Sequence, residues 1–216
     1  MSDGPDLSAR RLYLCTPDRS DLAAFLADCI AGGVDIVQLR DKELDARRLV
    51  ERARLAAAVC RQLGVPFILN DRPDLALEAG ADGVHVGQDD APVALARRIV
   101  GPAAIVGLST HALSELEAAG HEDVTYISAG PVEATPTKPG RPGTGIDYVS
   151  RASARSTVPV FVTGGVTPAR IPDLAAAGVR HFVVVRHLTQ ASDPRRAARS
   201  LRDAIDRALS NGPVAP

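Results

Sequence analysis

Tryptophan is missing from this chain, and aromatic residues together make up only 3% of it. That excludes the row of stacking platforms on which single-stranded nucleic acid is usually bound. An excess of one charge sign is missing too: 25 Lys and Arg stand against 26 Asp and Glu, a net charge of −1. No global field draws in nucleic acid or an anionic membrane, so any anion site must be a local arrangement. No run of about 18 apolar residues exists, and no membrane-spanning helix is expected. The opening MSDGPDLSAR lacks the apolar centre of a secretion signal. Cysteine is scarce: Cys15, Cys29 and Cys60 are widely spaced, form no CxxC pair, and one must stay unpaired. That usage suits a reducing compartment, and the cytoplasm is the expected location. GxSxG, HExxH and zinc-type Cys/His spacings are absent as well, which removes the common signatures of a protein nucleophile or a zinc site.

What is present is an ordinary globular balance, 45% hydrophobic and 24% charged over 216 residues. Short apolar runs at 11–16, 35–40, 66–70, 83–86, 104–109, 126–130, 159–163 and 181–186 alternate with amphipathic Ala/Leu/Arg stretches. FILN, VFVT and FVVV are apolar on successive residues, the pattern of parallel strands covered on both faces. Gly32, Gly64, Gly80, Gly120 and Gly178 follow amphipathic stretches, where helices stop. The reading is a single-domain α/β protein, a (β/α)8 TIM barrel over 11–210, with a polar N-terminal arm at 1–10 and a flexible tail at 211–216. A doubly wound sheet is the runner-up, but LCTPDRS after the first strand has no glycine-rich turn.

Barrel active sites form at the C-terminal ends of the strands. There the sequence places Gln38, Arg40 and Lys42, then Asn70 and Asp71, then His85 and Asp90, then Ser109 and His111. Thr135, Thr137 and Lys138 follow on the Pro/Gly-rich loop 131–145, and Gly164-Gly165 follow the seventh strand. The opposite strand ends are expected to carry little beyond helix-stopping glycines and prolines. Asp71 and Asp90, on neighbouring loops, can converge on one hard cation, and magnesium usually takes one or two carboxylates plus phosphate and water oxygens. Arg40, Lys42 and Lys138 suit phosphate oxygens. Gly164-Gly165 and the segment after the eighth strand form the expected second anion site. Loop 131–145 is expected to act as a lid.

Each feature also has a plainer reading. Asp90 is a candidate helix N-cap, Asp71 a turn residue in a local ion pair, and Arg40 and Lys42 solvated surface charge. His85 suits a hydrogen-bonded barrel residue, His111 a helix start, Gly164-Gly165 a tight turn, and Cys15 a buried structural thiol. Their joint placement on one face favours a site.

The segments QLRDK, ILNDRPDLALEAGADGVHVGQDD, GLSTH, GPVEATPTKPGRPGTG and VTGGVTPARI resemble the thiamine phosphate synthase family, in its order and spacing, over nearly the whole chain. The resemblance implies Mg2+-dependent coupling of 4-amino-2-methyl-5-hydroxymethylpyrimidine diphosphate with 4-methyl-5-(2-hydroxyethyl)thiazole phosphate, by a dissociative route, to thiamine phosphate and pyrophosphate. It implies Asp71 and Asp90 as metal ligands, and Arg40, Lys42, Ser109 and Lys138 as catalytic groups. Gln38 and Asn70 join those four around the pyrimidine diphosphate, and Thr135, Thr137 and Gly165 hold the thiazole phosphate. His85 lies near the pyrimidine, and Asp89 is left off the metal. Arg186 stands where relatives place a small serine-like residue, at the expected end of the last strand. A thiazole tautomerase of the same barrel is the nearest alternative, yet its expected histidine after strand six is replaced by Gly130-Pro131. A non-catalytic phosphate-binding barrel is the other. Small-molecule substrates are the expected partners, with neither nucleic acid nor membrane, and a homodimer is compatible with the sequence.

Overall fold

The computed structural model describes residues 6–135 and 142–210. Eight parallel strands close into a barrel in sequence order, with β1 (Leu12–Thr16) paired to both β2 (Ile36–Leu39) and β8 (His181–Val184). Between these run β3 (Phe67–Asn70), β4 (Gly83–Val86), β5 (Ile105–Thr110), β6 (Tyr126–Ala129) and β7 (Val160–Val162). The outer layer comprises α1 (Leu22–Ala31), α2 (Ala46–Gln62), α3 (Pro73–Ala76), α4 (Val93–Val100), α5 (Leu113–Ala119), α6 (Gly145–Arg155), α7 (Ile171–Ala176), α8 (Arg186–Thr189) and α9 (Pro194–Ser210). The expected fold is the observed one. No helix among the described residues is long and apolar enough to cross a membrane.

Every strand residue is buried, because one face packs on helices and the other fills the barrel. Alternation along each strand divides the core. Leu12, Leu14, Val37 and Leu39 pack outward under the helices, whereas Tyr13, Cys15, Ile36, Ile68, Ile105, Tyr126 and Phe161 fill the interior, with Leu7 joining them. Gly107 makes this filling possible. A Cβ there would lie 2.1 Å from Tyr126 Cζ, so the absence of a side chain on β5 is what admits the Tyr126 ring.

Two expectations are corrected. Arg186 does not end the last strand: β8 stops at Val184 and Arg186 opens α8. The chain turns at Val185, whose carbonyl accepts from the Leu188 and Thr189 amides at 3.0 and 2.9 Å, a helical turn that strand pairing cannot supply. The N-terminal strand ends are also far from bare. Asp35 accepts from the Arg11 and Leu12 amides at 2.8 and 2.9 Å and from Arg202 Nη1 at 3.0 Å. Asp82 accepts from the Phe67 amide at 2.8 Å, and Thr125 Oγ1 from the Val106 amide at 3.1 Å. Strand starts carry amides that need a buried acceptor, and these loop residues supply it. The helix-stopping glycines divide as well: Gly64, Gly80 and Gly178 take positive φ, whereas Gly32 and Gly120 stay right-handed and Gly33 makes the turn after α1.

Candidate active site

The C-terminal strand ends enclose a cavity of about 550 Å3. Gln38, Arg40, Lys42, Asn70, Asp71, His85, Asp90 and Ser109 line one side, and Thr135, Gly165 and Arg186 the other. Of the expected site residues, Thr137 and Lys138 lie outside the described residues. The ends of their loop are pinned beside the cavity, the Thr144 amide donating to Pro131 O at 2.8 Å and the Gly145 amide to Val132 O at 3.1 Å.

The rim is organised by two carboxylates. Lys42 Nζ lies 3.0 Å from Asp71 Oδ2, an ion pair between the loops after β2 and β3. Asp71 adopts φ 62°, unusual for a residue with a side chain, and its amide donates to His85 O at 2.8 Å. Arg72 turns away to Asp74 at 2.6 Å, so Asp71 is not part of a local turn pair. Asp90 Oδ2 accepts from the Gly87 amide at 2.8 Å, while α4 begins after Pro92, so Asp90 is not a helix cap. The Asp71 and Asp90 carboxyls hydrogen-bond to each other. Burial, together with Asp90, pushes the Asp71 carboxyl above its ordinary value, against the pull of Lys42. Burial also opposes ionisation of Asp90, but hydrogen bonds from Asp71 and the Gly87 amide, with Lys42 and His85 nearby, bring it below its ordinary value. Two like acids this close disfavour ionising together, and their shifts accordingly run in opposite directions.

That arrangement fits a magnesium ion. Among the described residues no group of three or more His, Cys, Asp or Glu converges on one point, and a carboxylate pair is the share of protein ligands that a magnesium ion bound to phosphate usually takes. Across the cavity, Gly164 and Gly165 take φ of 92° and 76°, and a Cβ on Gly165 would meet Glu133 Oε2 at 2.7 Å. Glu133 is itself fixed by Arg170 at 2.9 Å, which ties the loop after β6 to the segment before α7.

The floor holds two residues that the sequence reading passed over, Tyr13 and Tyr126. Gln38 Nε2 donates to the Tyr13 hydroxyl at 3.0 Å, and Tyr13 and Tyr126 hydroxyls lie 2.8 Å apart. His85 Nδ1 is 2.9 Å from Tyr126 Oη, and His85 Nε2 is 2.9 Å from Ser109 Oγ. Cys15 Sγ donates to Gln38 Oε1 at 3.0 Å. Strand parity carried the signal: Tyr13 shares the face of Cys15, and Tyr126 that of Ser128. His111, as expected, supports a helix start, its amide and Nδ1 lying 2.7 and 3.0 Å from Glu115 Oε2.

The sequence profile described as thiamine monophosphate synthase matches residues 12–188. The chain belongs to that family. The thiamine-phosphate synthase of Mycobacterium sp. (strain KMS) is 45% identical over 94% of this chain and 95% of its own length. That of Thermobifida fusca (strain YX) is 48% identical over 91% and 92%. Among solved structures, a thiamine phosphate pyrophosphorylase from Pyrococcus furiosus superposes with a TM-score of 0.84 at 27% identity, covering 92% of this chain and 96% of that one. An orotidine 5'-phosphate decarboxylase from Pyrococcus horikoshii, with a TM-score of 0.64 at 18% identity over 90% of this chain and 99% of that one, shares the fold alone. Family membership makes the chain an enzyme, and barrel enzymes work at the C-terminal ends of their strands, the end this cavity occupies.

Proposed function

We propose that this cavity binds the pyrimidine diphosphate as a magnesium complex, releases pyrophosphate first, and then joins the thiazole nitrogen to the exposed carbon. The overall reaction is the family's: the enzyme is a transferase coupling 4-amino-2-methyl-5-hydroxymethylpyrimidine diphosphate with 4-methyl-5-(2-hydroxyethyl)thiazole phosphate, giving thiamine phosphate and pyrophosphate. The observation that carries the finer reading is the contact between the Asp71 and Asp90 carboxyls beside Lys42, a pair that a divalent cation relieves.

Asp71 and Asp90 would hold the Mg2+, which neutralises pyrophosphate oxygens as charge collects on them. Arg40 and Lys42, with Lys138 from the loop beyond β6, bind the pyrophosphate; Asn70 and Ser109 add neutral donors. Gln38 orients the pyrimidine from the floor. The C–O bond breaks with its electron pair leaving on pyrophosphate, and the pyrimidine-methyl cation is captured by the lone pair of the thiazole nitrogen as the C–N bond forms. Such a reaction needs leaving-group stabilisation and positioning, not a protein nucleophile. Thr135, Thr137 and Gly165 hold the thiazole phosphate, with Arg186 adding a cation at that edge. We place the enzyme in the cytoplasm: Cys15, Cys29 and Cys60 are buried as thiols, and burial pushes Cys29 and Cys60 up to about 12.

The test is a coupling assay with both substrates and Mg2+, reading thiamine phosphate as fluorescent thiochrome, with and without EDTA. Metal-dependent product supports the reading. Product unaffected by EDTA overturns the magnesium role, and thiazole isomerisation without coupling overturns the reaction.

A further inference from the structure

Beneath the carboxylate rim, Gln38, Tyr13, Tyr126, His85 and Ser109 form one unbroken hydrogen-bond chain, each residue from a different strand, with links of 3.0, 2.8, 2.9 and 2.9 Å. Its direction is set at one end. An amide nitrogen only donates, and Gln38 turns its nitrogen to the Tyr13 hydroxyl at 3.0 Å while its oxygen faces the Cys15 thiol, also at 3.0 Å. The Tyr13 oxygen therefore accepts from Gln38. Among the described residues its own proton finds its acceptor at Tyr126, and Tyr13 is 1% exposed, so an unspent O–H there would be costly. Tyr126 must then donate to His85 Nδ1, which places the imidazole proton on Nε2. Nε2–H donates to Ser109 Oγ, and the serine's own proton is left to point into the cavity it lines.

Burial raises both phenols well above their ordinary value, so both keep their protons. Turning the Gln38 amide over would reverse every link and make Ser109 an acceptor toward the cavity. The amide at one wall thus selects the polarity of a hydroxyl at another.

We propose that Tyr13, Tyr126 and His85 are positioning residues that transmit the amide orientation of Gln38 to Ser109, holding the serine hydroxyl as a donor toward an anionic group in the cavity. The proposal rests on the reading above, in which Gln38 meets the pyrimidine and Ser109 the diphosphate. A serine locked as a donor is matched to a leaving group that gains negative charge, and one locked as an acceptor would oppose it.

Nitrogen NMR of 15N-histidine-labelled protein, with His85→Gln to assign the signals, reads the tautomer without any turnover. Nε2–H is expected for His85, and Nδ1–H in the unmodified protein overturns the relay whatever the activity. Tyr126→Phe removes the central link and should erase that tautomer preference. In the coupling assay it should lower kcat/KM for the pyrimidine diphosphate about tenfold, roughly one hydrogen bond. The same change in a Ser109→Ala background should have an effect under about twofold, because the relay then has nothing to position. An equal loss in both backgrounds assigns Tyr126 a packing role and overturns the proposal. Should Tyr126→Phe not fold, Tyr13→Phe carries the same cycle. A failed coupling assay with Nε2–H intact sinks the reaction assignment instead, so the two failures are distinguishable.

Discussion

Lys42 Nζ stands 3.0 Å from Asp71 Oδ2, and Asp71 in turn hydrogen-bonds the carboxyl of Asp90, so Lys42 is set beside two acids at the cavity rim. Asp90→Asn removes one charge from the pair and leaves the barrel intact, because Asp90 accepts from the Gly87 amide at the rim and not in the core. Turnover at limiting Mg2+ should fall by on the order of 10–100-fold, with the Mg2+ titration moved to higher concentration. Unchanged Mg2+ dependence would overturn the metal assignment.

Magnesium should also stabilise the fold without substrate, since a ligand that binds only the native state raises its melting temperature. Thermal melts with and without Mg2+ should differ for the unmodified protein and coincide for Asp71→Asn. Equal shifts in both would place the cation elsewhere.

Gly107→Ala should be destabilising although it adds a single methyl group. Its Cβ would sit 2.1 Å from Tyr126 Cζ, closer than any real contact, so the buried ring would have to shift. Overpacking of this kind costs about 1–3 kcal/mol. For a chain of this size that is a fall of roughly 2–4 °C in Tm per kcal/mol. Pairing it with Tyr126→Val should give a combined loss smaller than the sum. Strict additivity would show that the two sites do not meet.

At the opposite end, Asp35→Ala strips the acceptor from the Arg11 and Leu12 amides and the partner from Arg202. Two strand amides left unpaired should cost about 1–3 kcal/mol or more. KM for either substrate should stay unchanged, because Asp35 is not among the cavity residues. A changed KM with an unchanged melt would contradict this structural role.

His181 predicts a pH dependence of stability. Burial lowers its folded pKa below the ordinary 6.5, against the hydrogen bond to Arg10 O. The unfolded chain therefore takes up the proton first as pH falls. Stability from the neutral ring is complete above about 6.5 and is lost as pH drops toward the lower folded value. Urea midpoints measured from pH 7.5 to 5.5 should fall more steeply for the unmodified protein than for His181→Gln. Parallel curves would remove His181 as the cause.

Much of this protein was legible in one dimension. Continuous apolar runs such as FILN and FVVV could only be strands buried on both faces, and their alternation with amphipathic stretches leaves few closures besides a barrel. Because strand C-termini share one end of a barrel, the positions of Gln38, Asn70, Asp71, His85, Asp90 and Ser109 at those termini already announced a common cavity. What the sequence could not decide depends on distances between strands. Whether Asp90 caps a helix or meets Asp71, whether Arg186 ends a strand or opens a helix, and whether Tyr13 reaches Tyr126 are each settled by backbone direction and barrel register. The acceptors below the barrel, Asp35 and Asp82, were invisible for the same reason: an unpaired strand amide exists only once its neighbours are placed. Local pattern fixes which face a side chain takes, but the partner it meets there is chosen by closure of the sheet.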